Sequence, residues 1–204
     1  MSKAEKTKQF IIEKTAPVFN TKGYISTSLS DIAEATGLTK GSIYGNFENK
    51  EEVALAAYRY NAGSLKEKMI SSFSDKFPAS IDKLYAFVAF YRENWQSVFL
   101  SGGCPLMNAA TESDDTFPDL KNLVTQSFVE WISKISSVIS DGQEKGELNK
   151  KPDAEEYASL FIMMIEGGIL LSKTTGDEKF LNLALDHILR IIEVEFIPEE
   201  KQKN

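Results

Sequence analysis

The sequence predicts an all-α protein: an N-terminal three-helix unit with a helix-turn-helix, then a larger helical body. Three observations lead there. Apolar residues recur at helical spacing along most of the 204 residues. β-branched runs of period two are missing, and no Asn-Gly or Asp-Gly joins two such runs. Glycine and proline fall where the periodic stretches end or begin, as helix stops and starts do.

The elements follow in order. Residues 4–22 carry Ile11, Ile12, Thr15, Ala16 and Phe19 on one stripe, and Gly23 stops the helix. Pro17 lies inside this stripe and predicts a bend or a loose last turn, since it removes a backbone donor. Ser28 and Asp31 make a capping box for a short second helix that Gly37 ends. Thr39 caps a third, Lys40 to Phe47, and Asn49 caps a fourth, about Lys50 to Phe73, with Glu51 and Glu52 at its positive end. Further helices are predicted over 81–99, 105–112, 118 to about 145, 153–173 and 178–196, with a charged tail from Pro198.

Composition narrows the function classes. Hydrophobic residues are 42% and aromatics 11%, enough for a sizeable core. No stretch comes near the roughly 20 apolar residues of a bilayer span. No apolar run follows the charges of Met1–Lys6, so no secretory signal and no membrane partner are expected. The one cysteine, Cys104, forms no internal disulfide and suits a reducing cytoplasm. Net charge is −7, yet residues 1–50 hold seven lysines against five acids, a mildly basic head on an acidic body.

The informative segment is 28–50. Two short helices joined by Gly37-Leu38-Thr39 have the helix-turn-helix layout. The second would enter the major groove by its N-terminal residues, which here are Thr39, Lys40, Gly41 and Ser42. Small and hydroxyl side chains at that end let the backbone come close to DNA. Tyr44 lies on the same side one turn on, while Ile43 and Phe47 point into the core.

From Ile11 to Lys50 the chain resembles the TetR family of transcriptional repressors. The resemblance rests on Val18-Phe19, Gly23-Tyr24 and the run from Thr27 through Ile32-Ala33, Gly37-Leu38-Thr39-Lys40-Gly41-Ser42-Ile43-Tyr44 and Phe47 to Lys50. It implies that Thr27 and Ser28 contact phosphate. Lys40, Gly41 and Ser42 would form the base-facing edge, with Tyr44 and Asn46 on the far side of the recognition helix. Lys50 would meet a phosphate at the N-terminus of the fourth helix. Two departures stand out. Lys14 and Pro17 occupy positions where the family often has an acid or alanine. No arginine occurs in 1–50, which leaves Lys40 as the best guanine reader.

The resemblance divides the chain into a DNA-binding domain, 1–48, and a ligand-binding and dimerisation domain, 49–204. It implies a homodimer on a palindromic double-stranded operator, released by a small-molecule inducer. The last two helices are apolar on more than one side, wider than a helix wet on one side needs. Phe161, Ile165, Gly168, Leu181, Leu185, Ile188 and Ile192 are the candidate dimer interface. Tyr58, Tyr91, Trp95, Phe128, Trp131 and Phe161 are candidate pocket residues for an apolar or aromatic effector.

Other chemistry has little to work with. His187 is the only histidine, so two-histidine metal sites and Ser-His or Cys-His catalysis within one chain lack a partner. No glycine-rich phosphate loop is present, and neither a cofactor, a metal nor an enzyme activity is expected. Two alternatives stay open on the sequence. Cys104, after Gly102-Gly103 and before Pro105, could be an oxidation switch on the same scaffold. A helical protein-binding adaptor is the other.

Overall fold

A computed structural model describes residues 2–72 and 77–198. Among these the chain is helical with no strand. The helices are α1 (Lys3–Lys22), α2 (Leu29–Thr36), α3 (Lys40–Tyr44), α4 (Lys50–Ser72), α5 (Ser80–Leu100), α6 (Pro105–Ser113), α7 (Pro118–Glu144), α8 (Ala154–Thr175) and α9 (Lys179–Ile191). A π-helical turn, Ile192–Phe196, closes α9. Phe73, the expected end of the fourth helix, and the tail beyond Pro198 lie outside the described residues.

Local chemistry accounts for most boundaries. Ser2 and Glu5 form a capping box on α1, and Ser28 and Asp31 form one on α2. Asn49 accepts the Glu52 N–H at 2.8 Å. Asp153 accepts the Glu156 N–H at 2.8 Å and caps α8. Pro17 does not end α1, which continues to Lys22. The third helix is shorter than its sequence pattern suggests. It stops at Tyr44, where the Asn46 and Phe47 N–H groups both turn back to the Ile43 carbonyl. The last helix also departs from expectation, since its final turn widens to π winding. There Phe196 is buried edge-on to Tyr157 at 5.1 Å, and its carbonyl accepts the Asn149 N–H.

The chain forms two compact units. The first is Met1–Lys66 with Leu100–Ser127; the second is Glu67–Phe99 with Phe128–Asn204. In the first, Ile11, Phe19, Tyr24, Ile32, Ile43 and Phe47 of the N-terminal helices share a core with Val53, Ala54, Ala57 and Tyr58 of α4. Tyr24 is central to it. Its ring stacks on Phe19 at 5.8 Å, meets Tyr58 edge-on at 5.9 Å, and its hydroxyl accepts from Asn61 Nδ2 at 3.2 Å. Burial, with a smaller push from Glu112, drives the Tyr24 phenol pKa well above the usual range.

The second unit has two aromatic and aliphatic clusters. Phe87, Phe90 and Tyr91 of α5 sit with Trp131 of α7, whose indole N–H points at the Met69 sulfur. α8 and α9 pack along Phe161, Ile165, Gly168, Ile169, Leu181, Leu185 and Ile188, all buried. A Cβ on Gly168 would lie 3.0 Å from Leu181 Cα and 3.2 Å from Ala184 Cβ, so glycine sets how near the two helices come.

α8 corrects one expectation. It is long and apolar enough, by length and composition, to cross a membrane. The reason is that it is apolar on two sides. One side is buried against α9, while Met163, Leu170 and Leu171 are exposed on another.

Gly168→Val puts a branched side chain into the α8–α9 contact. The expected loss is about 1–3 kcal/mol of stability, the usual cost of overpacking, measured by urea denaturation of both proteins.

Candidate nucleic-acid interface

The candidate interface is built on α2 and α3. Ser28 Oγ accepts the Asp31 N–H at 3.2 Å, and the Asp31 carboxylate accepts the Ser28 N–H at 2.7 Å and its hydroxyl at 2.6 Å. Lys22 closes the same carboxylate from the end of α1. These bonds to the ionised form, with Lys22 the largest contributor, hold the Asp31 carboxyl well below the usual carboxylate range.

The turn into α3 is fixed by backbone geometry. Gly37 has φ 68°, a left-handed conformation that disfavours a side chain. The Thr36 hydroxyl donates to Ile32 O at 2.7 Å and accepts the Leu38 N–H at 3.3 Å. Thr39 Oγ1 then accepts the Ser42 N–H at 3.2 Å and caps α3. With Ile43 and Phe47 buried, the helix has one face left, and on it Lys40, Gly41 and Tyr44 are exposed. Tyr44 keeps 48% of its surface open, so its ring does not serve the core.

Behind α3, Lys8 of α1 lies over the Phe47 ring at 4.7 Å and pairs with Glu52 of α4 at 2.7 Å. Glu52 also accepts the Glu48 N–H at 2.7 Å. Lys8, followed by that amide, lowers the Glu52 carboxyl pKa.

The predicted DNA-contact residues divide into two groups. Ser28 and Thr39, which cap α2 and α3, and Lys40, Gly41, Ser42 and Tyr44 of α3 are exposed or half-buried. Three others are turned elsewhere. Thr27 is fully buried, and its hydroxyl donates to Gly23 O at 2.6 Å. Asn46 Nδ2 donates back to Ser42 O at 2.9 Å. Lys50 Nζ donates to Ile25 O at 2.7 Å.

The candidate pocket residues fall in both units. Tyr58 belongs to the first unit, where its hydroxyl donates to Ser127 Oγ at 2.8 Å. The other five belong to the second. Tyr91 and Trp131 lie ring to ring at 6.3 Å. Trp95 instead packs on Phe99 at 5.2 Å, and Phe161 lies near Phe196 at 6.3 Å.

The seven candidate dimer residues, Phe161, Ile165, Gly168, Leu181, Leu185, Ile188 and Ile192, are all buried inside one chain. They join α8 to α9 within a protomer, and the open apolar residues lie on other faces. Cys104 is also buried and caps no backbone group with its side chain. Neither oxidation control nor the adaptor reading is favoured.

A helix-turn-helix with a solvent-facing second helix defines a DNA-binding protein, and comparison with known proteins supplies its class. The bacterial regulatory protein tetR family model matches residues 11–57, and the tetracyclin repressor-like C-terminal domain model matches residues 80–188. A TetR-family transcriptional regulator from Cytophaga hutchinsonii superposes with a TM-score of 0.91 at 37% identity, covering 98% of this chain and 99% of the other. One from Chloroflexus aurantiacus does so at 0.90 and 34%, covering 97% and 99%. The HTH-type transcriptional repressor DhaR of Mycobacterium sp. strain GP1 is 25% identical over 89% of this chain and 92% of its own.

The chain belongs to the TetR family. It is a DNA-binding transcriptional regulator and not an enzyme. Regulators of this family bind DNA operators and act as dimers.

The depressed Asp31 pKa gives a pH dependence. Its folded value lies below the unfolded one, near 4, so its contribution is complete above about pH 4 and is lost as the pH falls towards the folded value. Asp31→Asn should lower the melting temperature at neutral pH. The gap from wild type should close progressively in acid, as read by thermal melts from pH 7 to pH 2.

Proposed function

We propose that the protein is a repressor that reads a palindromic operator with α3 of each protomer and is released by a small effector. The reading is carried by one observation: α3 keeps Lys40, Gly41 and Tyr44 open on a single face while Ile43 and Phe47 anchor its back. Lys40 is the base-reading cation, Tyr44 packs on a phosphate or a base methyl, and the exposed hydroxyls of Ser28 and Thr39 flank them. Thr27, Asn46 and Lys50 support this edge from behind. Lys50 sits at the N-terminus of α4, and the ammonium that donates to the Ile25 carbonyl has further N–H donors for a phosphate.

In this reading 1–48 is the DNA-binding domain and 49–204 the ligand-binding and dimerisation domain, acting in the cytoplasm. The dimer forms through the open apolar side of α8, with Met163, Leu170 and Leu171, together with Leu183 and Val194 of the α9 region. A Cβ on Gly167 meets nothing within 4 Å, so a second helix can approach there. Two recognition helices then span one turn of DNA, roughly 34–36 Å. The effector is a small apolar or aromatic molecule, and the Tyr91–Trp131 cluster is the part of the second unit that suits it. A thermal-shift screen of such compounds tests this, with a raised melting temperature the supporting result.

Selection from a random duplex library, followed by anisotropy titration at two salt concentrations, tests the operator reading. An enriched palindrome bound less tightly at higher salt is the expected outcome. Lys40→Ala should cost about 1–3 kcal/mol of binding and relax specificity at one base position. Tyr44→Ala should weaken binding without lowering the melting temperature, because its ring is open to solvent. Met163→Glu with Leu171→Glu should give a folded monomer in sedimentation that binds the palindrome poorly.

A further inference from the structure

The turn between α1 and α2 is held by residues that lie far from it in sequence. The peptide on either side of Ile25 is gripped at both ends. The Ile25 N–H donates to Glu112 Oε2 of α6 at 3.0 Å, and the Ile25 C=O accepts from Lys50 Nζ of α4 at 2.7 Å. An anion at the N–H and a cation at the C=O both favour this orientation, and charge-assisted bonds are the stronger kind. The Ile25 side chain is 42% exposed, so its own burial does not fix the turn.

Gly23 makes room for the acid. It has φ 108°, and a Cβ there would lie 2.8 and 2.9 Å from the two Glu112 carboxylate oxygens. A second tie sits one turn earlier on α1. Asn20 Nδ2 donates to the Ser101 and Gly103 carbonyls, and Asn108 Nδ2 donates to Asn20 O at 3.1 Å and Gly102 O at 2.8 Å. α6 and its lead-in thus hold both the end of α1 and the turn. Ser28, three residues past Ile25, is the cap of α2.

We propose that Glu112 is a positioning residue for DNA binding. Its carboxylate fixes the Ile25 peptide and thereby sets where α2 and α3 present themselves to the duplex, without touching DNA itself. The proposal rests on α3 being the DNA-reading helix.

The test uses the full chain, with Glu112→Ala and Glu112→Gln. The readouts are affinity for the duplex selected from the random library, melting temperature, and hydrogen exchange across residues 23–28. Glu112→Ala should bind about tenfold more weakly, melt a few degrees lower for the lost charge-assisted bond, remain folded at the assay temperature, and exchange the Ile25 amide faster. Glu112→Gln keeps an oxygen for the same N–H and should recover most of the affinity. Should Glu112→Ala not fold, Glu112→Asp, which keeps the charge but loses the reach, should show the same weakening. Wild-type affinity in the Ala or Asp variant overturns the proposal, as does a Gln variant as weak as Ala. If the wild type selects no duplex, the DNA reading has failed instead. Unchanged exchange at Ile25 in Glu112→Ala would then overturn the grip separately.

Discussion

Burial of the Tyr24 ring between Phe19 and Tyr58 is the interaction on which the DNA-binding end depends. α2 and α3 are short, and an N-terminal segment of this size has little interior to bury by itself. Tyr24 ties it to α4: one face of its ring stacks on α1, and Tyr58 of α4 meets it edge-on. Such pairs add about 0.5–1.5 kcal/mol beyond the area they bury. Asn61 satisfies the hydroxyl and also donates to Ala16 O at 2.8 Å, so α1, the turn and α4 meet around one phenol. With the back of α3 held by Ile43 and Phe47, its front is free to be polar.

The body follows a different constraint. α8 has to be apolar on two sides at once, and adjacent glycines divide the work. Successive residues on a helix point about 100° apart, so Gly167 and Gly168 cannot serve one neighbour. Gly168 is used within the chain against α9, whereas Gly167 faces open space. That split explains why the helix is apolar enough to pass for a membrane span.

Much of this was legible in the sequence, for definite reasons. Caps, glycine stops and a 3.6-residue stripe are local signals, and they located the helices to within a few residues. The edge of α3 was legible because Thr39 caps it and Ile43 and Phe47 fix which side is inward. Depth was not legible. Thr27 reads as a surface hydroxyl, yet its bond to Gly23 O takes it inside. The seven residues from Phe161 to Ile192 read as an outer seam, and their burial within the chain is not marked by composition, which does not say which partner an apolar face meets. Long-range ties such as Asn20 to Ser101, or Ile25 to Glu112, leave no periodic trace. Gly102-Gly103 read as a lead-in to Cys104, with no sign that a Cβ on Gly102 would lie 2.8 Å from Asn20 O.

The first unit is discontinuous, since the chain leaves it after Lys66 and returns at Leu100. A chain made from its N-terminus therefore has α2 and α3 on hand long before Asn108 and Glu112 have been synthesised. Until those residues emerge, the end of α1 and the Ile25 peptide lack the bonds that fix them. Closing that unit is a non-local event, slower than forming any of its helices. The turn that leads into α2 therefore waits for one of its two ties until synthesis has passed Glu112, some sixty residues after the other, Lys50, was made.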